Sequence, residues 1–287
     1  MFQKLSVYRD DALEILNAKE GENMKYATKK TLIACLMLAV CGASFFIRAG
    51  AQGQHWYCVH AKDHARPTAD PSLAYVEKHD GYYIGKQADD KVIYLTFDAG
   101  YENGNVAKIL DVLKEKQVPA AFFVLSHLID HDTALVKRMF DEGHLVCNHT
   151  AHHRDMSKVT QRSEFEKELL DLETLCEEKT GQKMAKYYRP PEGNFNELNL
   201  RYAKEMGYQT IFWSFAYADW DNQKQMDPEK AKQKILSNLH AGEVMLLHPT
   251  SSTNAQLLGE VIDECIRQGY RFGTLHELTG RTREQES

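Results

Sequence analysis

The chain has 287 residues and a mass of 32.9 kDa, with 43% hydrophobic and 26% charged residues and only 7 Pro. That composition excludes a disordered, collagenous or low-complexity protein. A formal net charge of −6 and a pI near 6.1 lack the basic footprint of a nucleic-acid binder, and six Cys are too sparse for a disulfide scaffold.

Residues 31–47 form an apolar run, preceded by Lys25, Lys29 and Lys30 and followed by the small tripeptide Ala49-Gly50-Ala51. A basic flank, a short apolar core and a small-residue cleavage site make an export signal over residues 1–51. The stretch before Met24 sits awkwardly ahead of the basic flank, which points to Met24 as the true start. The competing reading is an uncleaved anchor that contacts the membrane, since a span needs roughly 20 apolar residues. A lipid attachment at Cys41 is disfavoured by Val40, where a small residue is wanted. Either way the body is expected to be exported. Cys58, Cys147, Cys176 and Cys265 remain in it with no CxxC spacing, compatible with one disulfide or with buried thiols.

Residues 52–90 are rich in Tyr, His and Asp, have little periodicity, and read as an extension wrapping the domain that follows. From residue 91 the pattern becomes regular. Strand-like apolar runs occur at 92–97, 120–125, 144–147, 185–188, 210–215, 243–247 and 270–274. Segments with helical spacing lie between them at 105–116, 133–141, 164–179, 198–206, 228–240 and 255–268. Strict alternation of strand and helix predicts a parallel sheet in one α/β domain over 91–278, with a short tail at 279–287. Periodicity leaves an open sheet and a closed barrel both standing. Asp98-Ala99-Gly100-Tyr101-Glu102-Asn103-Gly104 after the first strand is not a GxGxxG loop, which removes the main signal for a nucleotide.

Functional residues of parallel α/β folds collect after the strand C-termini. Asp98 follows the first run, His149, His152 and His153 the third, Arg189 the fourth, Asp219-Trp220-Asp221 the fifth, and His248 ends the sixth. His149 and His153, four apart, would present both imidazoles on one side of a helical turn, a pattern suited to zinc or a related divalent ion. Taken singly, each residue has an ordinary explanation: Asp98 as a helix cap, Arg189 as an ion-pair partner, His248 as a satisfied histidine, Trp220 as a core aromatic. Together they supply a carboxylate, a metal pair, a cation and a second titratable histidine, which are the parts of metal-assisted hydrolysis.

Thr96-Phe97-Asp98-Ala99-Gly100, His149-Thr150-Ala151-His152-His153, Arg189-Pro190-Pro191-Glu192-Gly193, Asp219-Trp220 and Leu246-Leu247-His248 resemble, in order, the five motifs of the NodB-like polysaccharide deacetylases. The resemblance spans residues 91–278. It implies a distorted (β/α)7 barrel of TIM-like type, a divalent metal (zinc first), and removal of N-acetyl groups from a sugar polymer; the protein is expected to be a monomer. It assigns Asp98, His149 and His153 to the metal and Asp98, Arg189, Asp219 and His248 to catalysis. Arg189, Pro190, Trp220 and Leu246 are assigned to the substrate. Residues 96–105 and Asp80-Gly81-Tyr82-Tyr83 look like the peptidoglycan N-acetylmuramic acid deacetylases, which prepare muramic δ-lactam in the spore cortex. The implied partner is therefore the peptidoglycan glycan strand, in the cell wall or spore envelope. Other readings are deacetylation of N-acetylglucosamine in peptidoglycan or chitin-like polymers, and a catalytically silent glycan binder. One departure stands out: the family carries a second Asp where this chain has Ala99, so the metal is short of a ligand and Ala99→Asp is expected to tighten it. Ala216 likewise stands where relatives often carry another Asp.

Overall fold

The computed structural model describes residues 52–59, 61 and 63–282; the leader over residues 1–51, with its apolar run, Cys35 and Cys41, lies outside the described residues. Nine strands form the main sheet: β1 (Gly81–Tyr82), β2 (Val92–Ala99), β3 (Ala121–Val124), β4 (Leu145–Asn148), β5 (Ala185–Tyr188), β6 (Gln209–Ile211), β7 (Phe215–Ala216), β8 (Glu243–Leu247) and β9 (Arg271–Phe272). The helices are α1 (Val106–Lys116), α2 (Ser126–His131), α3 (Thr133–Asp141), α4 (Arg162–Thr180), α5 (Glu197–Glu205), α6 (Pro228–Ser237), α7 (Ser252–Arg267) and α8 (Leu275–Thr279). No helix among the described residues is long and apolar enough to cross a membrane.

The strand order is β7-β8-β2-β3-β4-β5-β6-β1, and β9 pairs with the start of β2. Every ladder of this sheet is parallel. A parallel sheet needs cover on both faces, and seven of the eight residues of β2 are buried accordingly. Alternation along β2 sorts its side chains into two layers. Ile93, Leu95, Phe97 and Ala99 join the apolar cluster under α1 and α7, where Ile109, Leu110, Leu258 and Ile262 meet them. Val92 and Tyr94 face the other way, into the barrel, with Phe123, Tyr187 and Val244. Thr96 and Asp98 continue that inward row, so Asp98 is its last member, at the mouth.

The sequence predicts one strand over 210–215, but the structure breaks it. β6 pairs with β5 and β1, β7 pairs with β8, and residues 212–214 cross the gap between them. Phe212 N donates to Tyr82 O (2.7 Å) and Ser214 N to Val244 O (3.0 Å). Beyond β1, Ile84 forms an antiparallel bridge to Glu243, and Gly85 N donates to Gly242 O (2.7 Å). The two ends of the strand order are thus tied together, and the sheet curls into the distorted barrel expected of a (β/α)7 fold.

Further details differ from the sequence reading. Residues 52–90 do more than wrap: besides closing the seam through β1, they pair Gln54–His55 antiparallel with Asn194–Phe195. The run at 270–274 shrinks to β9, and α2 appears where no periodicity was legible in six residues. Of the two cysteine readings, the thiol one holds among the described residues: Cys147, Cys176 and Cys265 are buried thiols and Cys58 a half-buried one.

Gly81 sits where β1 crosses Val76: a Cβ there would lie 2.3 Å from Val76 Cγ1 and 2.8 Å from Val76 O. Gly81→Ala should therefore cost about 1–3 kcal/mol in a urea titration, the range for overpacking a closed site. An unchanged midpoint would mean that β1 is not part of the cooperative fold.

Candidate active site

Arg189 follows β5 and is fully buried, with each arm of its fork assigned. NH1 donates to Asp98 Oδ1 (2.8 Å), NH2 to Thr96 Oγ1 (2.9 Å) and Phe212 O (3.3 Å), and Nε to Ile211 O (2.9 Å). The Phe123 ring lies 4.1 Å beneath the guanidinium carbon. Burial pushes the Asp98 carboxyl up, but the positive field of His149, Arg189 and His248 outweighs it and holds Asp98 below the usual carboxylate range. The carboxylate is therefore ionised across the neutral range.

His149 and His153 come together, though on a loop and not on the helical turn expected from their spacing. Thr150 (φ 71°) and His153 (φ 53°) are left-handed, which bends the chain too sharply for a helix. Thr150 N donates to Asn148 Oδ1 (2.9 Å), His153 N to Thr150 Oγ1 (3.1 Å), and Ala151 N to Glu168 O (3.0 Å). The two imidazoles stand edge to face with centroids 5.3 Å apart. His152 points elsewhere, its Nδ1 3.2 Å from Glu168 Oε1, and does not compete with them.

His149 Nδ1 donates to Arg189 O (2.9 Å), which fixes the tautomer and leaves the Nε2 lone pair toward Asp98 Oδ2, 3.5 Å away. Burial lowers the His149 pKa to about 4, so the ring is neutral at pH 7. Two lone-pair atoms facing each other at that distance repel unless a cation or a proton lies between them. A neutral imidazole with an oriented second nitrogen is the donor chemistry that suits a divalent metal. Among the described residues, however, no three His, Cys, Asp or Glu side chains are arranged to hold a metal ion.

On the opposite wall, Asp219 is buried and holds His248. His248 Nδ1 donates to Asp219 Oδ1 (2.7 Å), and His248 N (2.8 Å) and Asn254 Nδ2 (2.6 Å) donate to Oδ2. Burial works against the imidazolium, but the Asp219 hydrogen bond and the charges of Asp219 and Asp98 raise the His248 pKa above 6.5. Asn254 lies in the first turn of α7, and no motif in the sequence signalled it.

A cleft of about 650 Å³ joins the two walls, lined by Asp98, His149, His153 and His248 together with Leu246, Trp220, Tyr101, Trp213, Tyr217, Glu192 and His55. Trp220 is 63% exposed at its rim, which overturns the core-aromatic reading. Pro190 is buried and, like Arg189 and Ala99, is not among the lining residues. Arg189, enclosed and committed to four acceptors, has no arm to offer a glycan carboxylate. Ala99 alternates outward into the apolar layer under α1 and α7. A carboxylate there would be buried among hydrocarbon, so the expectation that Ala99→Asp simply supplies a metal ligand does not hold. Trp213, Tyr217 and His55 were missed because isolated aromatics and a histidine ahead of the motifs carry no spacing signal, while Tyr101 and Glu192 lay inside quoted stretches without being assigned to the site.

A polysaccharide deacetylase profile matches residues 85–211. The peptidoglycan-N-acetylmuramic acid deacetylase PdaA of Bacillus subtilis is 37% identical over 251 residues, which cover 84% of this chain and 95% of that protein. The chain belongs to the polysaccharide deacetylase family. The solved structure of PdaA, described as a family 4 carbohydrate esterase, matches this deacetylase with a TM-score of 0.77 at 37% identity, covering 80% of this chain and 98% of that one. A peptidoglycan-N-acetylglucosamine deacetylase of Bacillus cereus is 31% identical over 195 residues, 66% of this chain and 89% of that protein. A family 4 pseudoenzyme from Bacillus anthracis, 27% identical, has a TM-score of 0.63 over 70% of this chain and 69% of its own. The fold is thus shared by active and silent relatives, and the residues must decide between them.

Removing Arg189 alone strands a buried carboxylate. Arg189→Met should destabilise the deacetylase by about 3–5 kcal/mol in denaturant titrations, and adding Asp98→Asn should recover much of that loss. Additive losses would show that the pair is not coupled.

Proposed function

We propose that this deacetylase hydrolyses N-acetyl groups on amino sugars of peptidoglycan strands, with N-acetylmuramic acid as the favoured residue. The observation that carries the reading is the facing of two opposed proton carriers across one cleft. Asp98 is held ionised on one wall, and His248, raised above 6.5, is held by Asp219 on the other. A decayed site has no reason to keep both poised. His149 and His153 would hold a divalent metal, zinc by preference, with Asp98 beside them. When bound, such an ion polarises the acetamide carbonyl and lowers the pKa of water.

This chain's own groups then divide the proton work. Asp98 accepts a proton from the attacking water, and Arg189 keeps that carboxylate ionised and aimed. The C–N bond breaks, acetate leaves, and His248 delivers a proton from Nε2 to the departing amine while Asp219 steadies the Nδ1–H. Trp220, Leu246 and Tyr101 offer apolar walls to the sugar and its acetyl methyl. Export to the cell wall, which rests on the leader pattern over residues 1–51, a role in sporulation, which rests on the sequence resemblance, and a monomeric state belong to the same proposal. N-acetylglucosamine is the second reading, supported by the similarity to the Bacillus cereus enzyme.

Purified protein incubated with glycan strands, with and without chelator, should yield strands lighter by one acetyl group only when metal is present, and fragment mass spectra should place the loss on the muramic sugar. Loss from glucosamine alone would select the second reading, and no loss would leave a silent binder. Asp98→Asn should keep the fold and lose roughly 10²–10⁴-fold in rate, the worth of a general base; full activity would end that assignment.

The pH dependence has a definite sign. A general acid must be protonated, so kcat/KM should fall as pH rises through the elevated His248 pKa, and Asp219→Asn should move that limb downward. The pairing stabilises the fold fully below pH 6.5, and its contribution vanishes as pH climbs past the folded-state value. A limb unmoved by Asp219→Asn would separate His248 from the acid role.

A further inference from the structure

The break between β6 and β7 frees three successive carbonyls, Ile211, Phe212 and Trp213, from continuous sheet pairing. Arg189 takes the first two. The third, Trp213 O, accepts from the indole Nε1–H of Trp56 at 2.9 Å, with Cys58 Sγ at 3.3 Å. Trp56 is 1% exposed and comes from the segment ahead of every family motif. Its ring stacks on Phe212 (centroids 4.4 Å apart, planes at 24°), and its backbone N–H donates to Gly193 O (2.8 Å) in the loop that begins at Arg189.

One residue therefore grips both segments that Arg189 joins: the loop that carries the guanidinium and the crossing that receives it. Gly193 confirms how tight the junction is. At φ +72°, a Cβ there would stand 2.8 Å from the Trp213 ring and 3.1 Å from Trp56 Cβ. Trp213 in turn lines the cleft and lies 5.9 Å from the Arg189 guanidinium carbon. We propose that Trp56 is a positioning residue for deacetylation, which acts through Phe212, Trp213 and Gly193 to fix Arg189 and hence the aim of Asp98.

The inference rests on the deacetylase reading for its kinetic test, but its structural test does not. Trp56→Phe keeps a ring for the stack and removes the donor. It should lower kcat by about 10–100-fold with KM within twofold, the cost of an ångström-scale misplacement. Leu73→Ala, in the same apolar cluster but with its backbone bonds running to Asp70 and Val76, serves as the control for lost stability and should leave kcat unchanged. A crystal structure of Trp56→Phe should show Arg189 withdrawn from Phe212 O or from Asp98. If Trp56→Phe does not fold, Gly193→Ala forces the same junction apart from the other side and should give the same kcat signature. Unchanged kcat, an equal loss in Leu73→Ala, or Arg189 bonds to Asp98 and to Phe212 O both preserved at their wild-type lengths would overturn the proposal. A wild-type protein inactive on every glycan would sink the deacetylase reading, and the variant's Arg189 geometry would still judge this one.

Discussion

The ion pair between Asp98 and Arg189 is the constraint around which the molecule is arranged. A buried guanidinium and a buried carboxylate each lose several kcal/mol of hydration, and their attraction offsets this only when the remaining donors are satisfied. The barrel meets that condition through its own irregularity. An unbroken strand over 210–215 would have used its carbonyls in two ladders, whereas the crossing at 212–214 leaves Ile211 O and Phe212 O for Arg189. The flaw in the sheet is thus what makes a buried cation tolerable, and the buried cation keeps the carboxylate charged at the cleft.

From that pair the two walls follow by connectivity. Arg189 O, the backbone acceptor of the same residue, orients His149 through Nδ1, so one residue sets the charge state of Asp98 and the tautomer of its neighbour. Asp219 does the matching work opposite, receiving three donors and holding His248. Second-layer groups of this kind do not touch substrate, but they determine which proton is available and where it points. Neutral His149 and raised His248 show how two histidines in one cleft diverge: one is buried beside a cation, the other bonded to a carboxylate.

Much of this was legible in the sequence. The parallel alternation, the strand-end placement of Asp98, His149, Arg189, Asp219 and His248, and the family resemblance follow from periodicity and from motifs with fixed internal spacing. What was not legible depends on contacts between distant segments. The 210–215 run reads as one strand because its hydrophobicity is continuous, and only pairing with β1 on one side and β8 on the other reveals the break. The HxxxH spacing fits a helix as well as a loop, and left-handed Thr150 is not encoded by residue type as a glycine would be. β1 is two residues long and gains its meaning from closing the seam.

Ala99 is the instructive case, because motif comparison and strand geometry disagree about it. By alignment of motifs it marks a missing ligand; by alternation along β2 it belongs to the apolar layer with Phe97 and Leu95, facing α1 and α7. The alternation argument is the stronger one for this chain, since a carboxylate among those side chains would lack partners and revert to its neutral form. The consequence reaches the chemistry. With no ligand from that position, any cation in the cleft would depend on two imidazoles and the single carboxylate that the proposed mechanism also uses as base. The positional precision of Asp98 then matters more here than in a site with a separate carboxylate for each task. That demand gives a physical reason for the density of restraint on Arg189, whose fork reaches acceptors on β2, on the end of β6 and on the crossing beyond it.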